Sequence, residues 1–225
     1  MIVDIFIRTY DKDLKWLKYC LESIHKFSYG FRDIIICIPF WQQNLLQHLT
    51  KEKIVTCPVY KNDYIGQQIS KLQAFKYTDA EYIMFLDSDC LMTKKFCPEE
   101  YAIFGKPIIL KEAYSKFEGQ DVMCWKPITE NILGFEVEYE YMRRHPFTYR
   151  RDTLEELYRY FPCMEEPKEL SEFNLIGAYC DKYEKDKYVF IEVGDNSLPE
   201  PNLKQYWSHS GLTEQEEQEI QLLLK

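Results

Sequence analysis

The sequence predicts an α/β fold in which a mixed, mostly parallel sheet is flanked by helices, and three observations predict it. Through residues 1–90, short apolar runs alternate with helical stripes in a βαβαβαβ order. Those runs are nearly continuous rather than alternating apolar with polar, which is the pattern of strands covered on both faces. With 225 residues, 46% of them hydrophobic, the chain is long enough to bury the core that such a sheet needs.

Ile2 to Ile7 reads as the first strand, and Asp11 is placed to cap the helix that follows. That helix carries the stripe Leu14, Leu17, Cys20, Leu21, Ile24 and Phe27. Ile34 to Ile38 is a second strand stopped by Pro39, Trp41 to Leu49 a short helix, and Ile54 to Val55 a third, short strand. Tyr64 to Tyr77 is helical, with Ile65, Ile69, Leu72 and Phe75 in register, and Tyr82 to Leu86 is the fourth strand. The second half is less regular. Pro107 to Leu110 reads as a strand, Gly119 to Trp125 as the approach to another, and Thr153 to Tyr160 and Ser171 to Tyr183 as helices. Tyr188 to Val193 is a late strand, Gly194 to Asn202 a loop, and a charged helix starts at Thr213. No repeat or low-complexity linker divides the chain, so one domain is expected over residues 1–225.

The net charge of −9 argues against broad nonspecific nucleic-acid binding but leaves room for a local basic groove. No apolar run approaches the roughly 18–20 residues that cross a bilayer. The N-terminus lacks a basic n-region and a cleavage site. The eight cysteines form no Cys-x-x-Cys pair and no dense framework, and Cys20 and Cys37 fall in apolar elements. Reduced, mostly buried thiols are expected rather than disulfides or a zinc site, which makes a cytoplasmic protein the expectation.

The fourth strand ends in Asp87-Ser88-Asp89. A buried strand gains nothing from two carboxylates at its tip unless a cation sits there. Hard divalent ions such as Mg²⁺ and Mn²⁺ prefer carboxylate oxygens, and one held there can bridge to a diphosphate and act on it as a Lewis acid. The alternative is a solvated turn with an aspartate helix cap. Parallel sheets bind ligands at the carboxyl ends of their strands, near the switch in strand order. The turn Thr9-Tyr10-Asp11 also lies at such an end, so both turns should open on one crevice. Tyr10 suits stacking on a nucleobase and Asp11 suits accepting from it or from a ribose, although a capped helix start accounts for Asp11 equally well. His209 is either a third metal ligand or an ordinary loop histidine, whereas His25 and His48 read as structural. Gln67, Gln68 and Lys71 lie one turn apart before the aspartate pair. They form either a polar exposed face or a set in which the lysine reaches a diphosphate and the amides bind sugar or base. Glu172 opens a helix, where the dipole stabilises a carboxylate. It is either a first-turn acid or the base that takes a proton from an acceptor hydroxyl. Arg143, Arg144, Arg150 and Arg151 bracket His145 to Tyr149. They suit an anionic acceptor or a nucleic-acid backbone, or else a solvated surface paired with nearby glutamates.

Taken together, Arg8-Thr9-Tyr10-Asp11, Gln67-Gln68-Ile69-Ser70-Lys71-Leu72 and Phe85-Leu86-Asp87-Ser88-Asp89 resemble the GT-A nucleotide-diphospho-sugar transferases. The pattern is similar to a group of bacterial and phage glycosyltransferase-like proteins. They share a Gln-Gln-x-x-Lys-Leu helix, an Asp-Ser-Asp (DXD) turn, a His-Pro-aromatic segment (here His145-Pro146-Phe147) and a Ser-Glu-aromatic helix start (here Ser171-Glu172-Phe173). The resemblance implies a GT-A, Rossmann-like fold, a UDP-sugar donor and Mn²⁺ or Mg²⁺. Asp87, Asp89 and His209 then resemble metal-site residues and Lys71 a donor contact; on the residue reading Thr9, Tyr10, Asp11, Gln68, Asp87 and Ser88 are expected donor contacts beside it. Glu172 resembles the catalytic base, and an acceptor groove is expected past Trp125 and His145 to Arg150 and Arg151. The chain departs from the better-known inverting members in lacking a Glu-Asp or Asp-Asp pair at that helix. The expected activity is metal-dependent transfer of a hexosyl or pentosyl group to a hydroxyl of a glycan, a lipid-linked sugar or a hydroxymethylated base of phage DNA. Residues 1–90 would form the nucleotide-binding half and residues 91–212 the acceptor-binding half. A nucleotidyltransferase is one rival, although Arg8 to Asp13 lacks the glycine-rich loop it would carry. A non-catalytic nucleotide-sugar-binding module is the other.

Overall fold

The computed structural model describes residues 1–160, 167–193 and 202–225. Over these the chain runs β1 (Val3–Arg8), α1 (Leu14–Phe27), β2 (Ile34–Pro39), β3 (Lys53–Cys57), α2 (Asp63–Leu72), β4 (Tyr82–Asp87), β5 (Cys90–Met92), β6 (Ala102–Ile103), β7 (Lys106–Ala113) and α3 (Trp125–Leu133). It continues through β8 (Tyr139–Glu140), β9 (Phe147–Arg150), α4 (Arg151–Tyr160), α5 (Glu172–Tyr183), β10 (Val189–Glu192), β11 (Leu203–Gln205) and α6 (Glu214–Leu224).

The apolar runs assemble into a sheet of order β3-β2-β1-β4-β9, with β9 antiparallel to β4 and the others parallel. Phe6, Ile35, Ile83 and Phe85 pack on one face against residues of α2, α4 and α5, while Ile5, Ile7, Ile36, Met84 and Leu86 pack on the other against Leu17, Cys20, Leu21 and Ile24 of α1. Both faces being covered is why these strands read as unbroken apolar runs. The strand order changes direction between β1 and β4, so a crevice opens at their carboxyl ends. Arg8 and Asp87, the last residues of the two strands, are register partners.

A second sheet, β10-β7-β6 with β8 alongside β7, stands beyond the first. Directly after Asp89, β5 pairs antiparallel with β11, which carries residues 203–211 back to the crevice. α6 holds that segment down. Its Ile220 packs with Trp16, Tyr19 and Tyr206, Lys15 and Tyr19 both bond Glu217, and Thr213 and Glu216 form its capping box.

Several expectations change. Asp11 caps nothing: a 3-10 turn over Asp11–Asp13 leads into α1 with no side-chain cap, and the Asp11 N–H donates instead to Gln42 Oε1 at 3.0 Å. The helix expected at Trp41 to Leu49 is a 3-10 turn over Phe40–Leu45. α2 stops at Leu72, and a 3-10 turn over Ala74–Lys76 follows it. Gly119 to Trp125 leads into no strand; a 3-10 turn over Asp121–Cys124 runs into α3. Pro127 stands in the first turn of α3, where a missing N–H costs no helical bond. Gly134, at φ 72°, ends the helix in the left-handed conformation. The expected loop at Gly194 to Asn202 lies, save for Asn202, outside the described residues. The seven described cysteines are free thiols, five of them buried. Among the described residues no helix is long and apolar enough to cross a membrane.

Candidate active site

A cavity of about 560 Å³ occupies the crevice. Its floor is the ends of β1 and β4, and its walls are α2, the first turn of α5, the segment before β9 and residues 203–209. Lys71 lines it. The ammonium is buried, 2.8 Å from Asp87 Oδ1 and 2.9 Å from Glu172 Oε1, and 4.9 Å from the centre of the Phe173 ring. The other oxygen of Asp87 lies 3.0 Å from His145 Nε2. Burial opposes charge on Asp87, yet Lys71 and His145 outweigh it and hold the carboxyl far below the usual carboxylate range. Burial likewise opposes charge on Lys71, and Asp87 and Glu172 reverse that and keep the ammonium above its ordinary value. Glu172 is the first residue of α5, and its N–H donates to Gln68 Oε1 at 3.2 Å. Its carboxylate therefore sits between the first turn of α5 and the Lys71 ammonium.

The second carboxylate is held differently. Asp89 Oδ2 accepts from the Ser208 N–H at 2.8 Å, and Oδ1 from Gln205 Nε2 at 3.4 Å. Asp13 accepts from the Ser88 hydroxyl at 3.1 Å and the Ser208 hydroxyl at 3.4 Å. Burial pushes the Asp89 carboxyl up, and the charge of Asp87 adds to it. Asp13 is also pushed up by burial, with Asp89 and Asp87 adding to it against the pull of the two serines. One side of the cleft is thus short of positive charge.

A family model described as glycosyl transferase family 2 matches residues 4–163, which is most of the chain and nearly all of the central sheet. The chain belongs to glycosyl transferase family 2. No curated protein matches it. Its mixed, mostly parallel sheet flanked by helices is the arrangement of a GT-A fold. As a family 2 member it carries a domain for glycosyl transfer, which implies a nucleotide-sugar donor and an acceptor, and divalent metals are common in the family.

Within this family 2 cleft the structure gathers Tyr10, Gln67, Gln68, Lys71, Asp87, Ser88, Asp89, His145, Glu172 and His209. It does not gather the rest. Thr9 is buried behind the wall, its N–H bonded to the Cys37 carbonyl. Asp11 is exposed, and Trp125 opens α3; neither lines the cavity. Arg150 and Arg151 sit at the opposite end of the sheet, because β9 runs antiparallel and Arg150 pairs with Tyr82 at the start of β4. Arg150 bonds Asp152 at 2.9 Å, while Arg151 donates to the Thr78 carbonyl at 2.8 Å and the Phe75 carbonyl at 3.2 Å. His209 is exposed at the rim, next to Trp207. Among the described residues no three His, Cys, Asp or Glu side chains converge as a metal set, so His209 does not complete one with Asp87 and Asp89. The two carboxylates nevertheless fit a divalent ion: their oxygens are hard donors, burial and the charge of Asp87 raise the Asp89 carboxyl against the weaker pull of His145, and no cation offsets the charge of Asp13.

Arg8, Asp13, Tyr64, Gln205, Trp207 and Ser208 also line the cavity. Arg8 ends β1 and is tied to Asp63 and to the Thr9 carbonyl. Asp13 offered a signal in the sequence, a second acid two residues after Asp11, but only the fold turns it toward Ser88. Trp207 is 58% exposed and holds φ 58°, an uncommon conformation for a bulky residue. It presents an indole at the mouth of the cleft.

Proposed function

We propose that this domain transfers a sugar from a UDP-sugar to a saccharide hydroxyl with the help of Mn²⁺ or Mg²⁺, by direct displacement. The observation that carries the reading is the Asp87–Lys71–Glu172 chain, in which one buried ammonium joins the carboxylate we assign to the metal and the carboxylate we assign as base.

Asp87 and Asp89 would hold the cation, with phosphate oxygens supplying the remaining ligands, as is usual for ions of this kind. A cation held by these two residues would supply Lewis-acid stabilisation of a diphosphate leaving group. Tyr10 and Arg8 border the nucleoside, and residues 1–90 form the nucleotide side of the domain. Gln68 holds the backbone of Glu172 and Lys71 holds its carboxylate, so that one oxygen remains to take the proton of the acceptor hydroxyl. Lys71 acts through Glu172 and Asp87 and is a positioning residue. Residues 91–212 supply the acceptor side, through His145, Phe173 and the rim at Trp207. A DNA acceptor is disfavoured: of the four arginines around His145 to Tyr149, Arg143, Arg150 and Arg151 are each engaged with carboxylates or carbonyls of this chain, and one remaining guanidinium makes no track for a phosphate backbone.

The test is incubation with radiolabelled UDP-sugars and a panel of saccharides, with Mn²⁺ or with chelator. Metal-dependent appearance of label in a saccharide supports the proposal. Release of pyrophosphate from a nucleoside triphosphate would replace it with nucleotidyl transfer. Donor binding without hydrolysis or transfer to any acceptor would reduce the domain to a binding module.

A further inference from the structure

The cations that line the cleft are nearly all paired. Arg8 pairs with Asp63, and Lys71 with Asp87 and Glu172. Arg143 pairs with Glu140 and, at 2.9 Å, with Glu112, and its guanidinium lies over the Phe117 ring at 4.5 Å. His145 pairs with Asp87. Arg144 is different. It lines the cavity and is half-buried, yet among the described residues it has neither a hydrogen bond nor an ion pair. In a chain of net charge −9, a half-buried guanidinium left unpaired in a ligand cleft points to an anion that arrives with the ligand.

The position of Arg144 says which ligand. Arg143 on one side is anchored to Glu112 and Glu140, and His145 on the other to Asp87, so the Arg144 backbone is held on both sides at the cavity wall. The residue enters from the segment leading into β9, on the far side of β4 from Tyr10. Its neighbour His145 packs against Phe147 and Phe173, and Phe173 directly follows Glu172. Arg144 therefore belongs to the side of the cleft that holds the proposed base rather than to the side that holds the nucleoside.

We infer that the acceptor is a saccharide carrying an anionic group, a carboxylate or a phosphomonoester, close to the hydroxyl that is glycosylated, and that Arg144 recognises that group. The inference rests on the glycosyl-transfer reading above and names its substrate class. A planar guanidinium can grip either anion through two parallel N–H bonds, a geometry lysine does not reproduce.

The experiment compares matched acceptors in the presence of UDP-sugar and Mn²⁺: a methyl hexuronide against the corresponding methyl hexoside, and a hexoside phosphomonoester against the same hexoside. Affinities of the same compounds for the UDP–Mg²⁺ complex, measured by calorimetry, give the preference independently of turnover. Wild-type protein is expected to prefer one anionic member. The ratio of its kcat/KM to that of the neutral partner is expected to fall roughly 10- to 100-fold in Arg144→Ala, the range of a charge-assisted hydrogen bond, and to recover in part in Arg144→Lys. The arm that shows the preference tells carboxylate from phosphate. Three results overturn the inference while leaving the underlying reading intact: metal-dependent UDP binding with no preference for, or no binding of, either anionic saccharide; a preference that survives Arg144→Ala; or an Arg144→Ala loss that appears equally in UDP affinity, which would assign the guanidinium to the diphosphate. Transfer to hydroxymethylated DNA in place of saccharides also overturns it. Absence of metal-dependent UDP binding in the wild-type protein strikes the underlying reading instead.

Discussion

Replacing Lys71 with methionine keeps the length of the side chain and removes the one charge that joins Asp87 to Glu172. The ammonium is only 4% exposed and lies within 2.9 Å of both carboxylates, so water cannot take its place without opening the cleft floor. Removing one partner of a buried ion pair costs about 3–5 kcal/mol, because Glu172 is left buried without its cation and Asp87 keeps only His145. At roughly 2–4 °C per kcal/mol for a chain of this size, the melting temperature should drop by about 6–20 °C. The double variant Lys71→Met/Glu172→Gln should recover part of the loss, since one of the stranded charges is gone. Mn²⁺ should raise the melting temperature of Lys71→Met by more than it raises that of the wild type, because the ion then replaces the positive charge that Lys71 held beside Asp87, leaving His145 as the other. Differential scanning calorimetry with and without Mn²⁺ reads all three. A Lys71→Met protein within about 1 kcal/mol of wild type, or one that the double variant destabilises further, would refute the reasoning.

Glu172→Gln keeps the shape of the base and removes its proton affinity, so sugar transfer is expected to fall about 10²–10⁴-fold while UDP affinity changes far less, as initial rates and calorimetry would show. Asp181 ties α5 to Lys111 at 2.8 Å and to the Tyr141 hydroxyl at 2.8 Å. Burial opposes its charge, but Lys111, Tyr141 and Lys185 outweigh that and hold its carboxyl below the ordinary 3.8. Its stabilising contribution is therefore complete above that value and lost as pH falls through the folded-state value. Asp181→Asn should cost about 1–3 kcal/mol at neutral pH, with the difference from wild type shrinking below about pH 4 in urea titrations. A Cβ on Gly177 would overlap the Tyr141 ring, so Gly177→Ala should destabilise by about 1–3 kcal/mol and, by shifting α5 and its Glu172, lower transfer as well.

Much of this architecture can be read along the chain, and the places where it cannot are physically explicable. Strands covered on both faces leave an unbroken apolar record, so Ile34 to Ile38 and Tyr82 to Leu86 announce themselves. The turns after β1 and β4 follow from strand order, and so does their meeting at one crevice. The segment 125–133 misleads because its buried face is thin, Thr129 and Leu133, and because Pro127 disguises a first helical turn. Residues 147–150 mislead because the arginines around them read as a basic surface. Two of those arginines cap carbonyls or pair with carboxylates at the far end of the sheet, a consequence of the antiparallel sense of β9 that local pattern does not record. In the cleft, Lys71, Asp87 and Glu172 were each legible as polar residues at element ends. Their junction at a single ammonium was not, because it depends on the packing of α2 against α5 across 101 residues of chain. The isolation of Arg144 was equally hidden: it shows only after every neighbouring cation has been matched to its partner.

The most direct measurement of the central claim is isothermal titration of UDP into the protein with Mn²⁺ and with chelator, repeated on Asp89→Asn. The account predicts binding that requires the metal in the wild type and is lost in the variant, whose amide oxygen can still accept from the Ser208 N–H and whose amide nitrogen can donate to a flipped Gln205 amide, but which lacks the negative charge. UDP binding that is equally strong in chelator, or that Asp89→Asn retains in full, would contradict it.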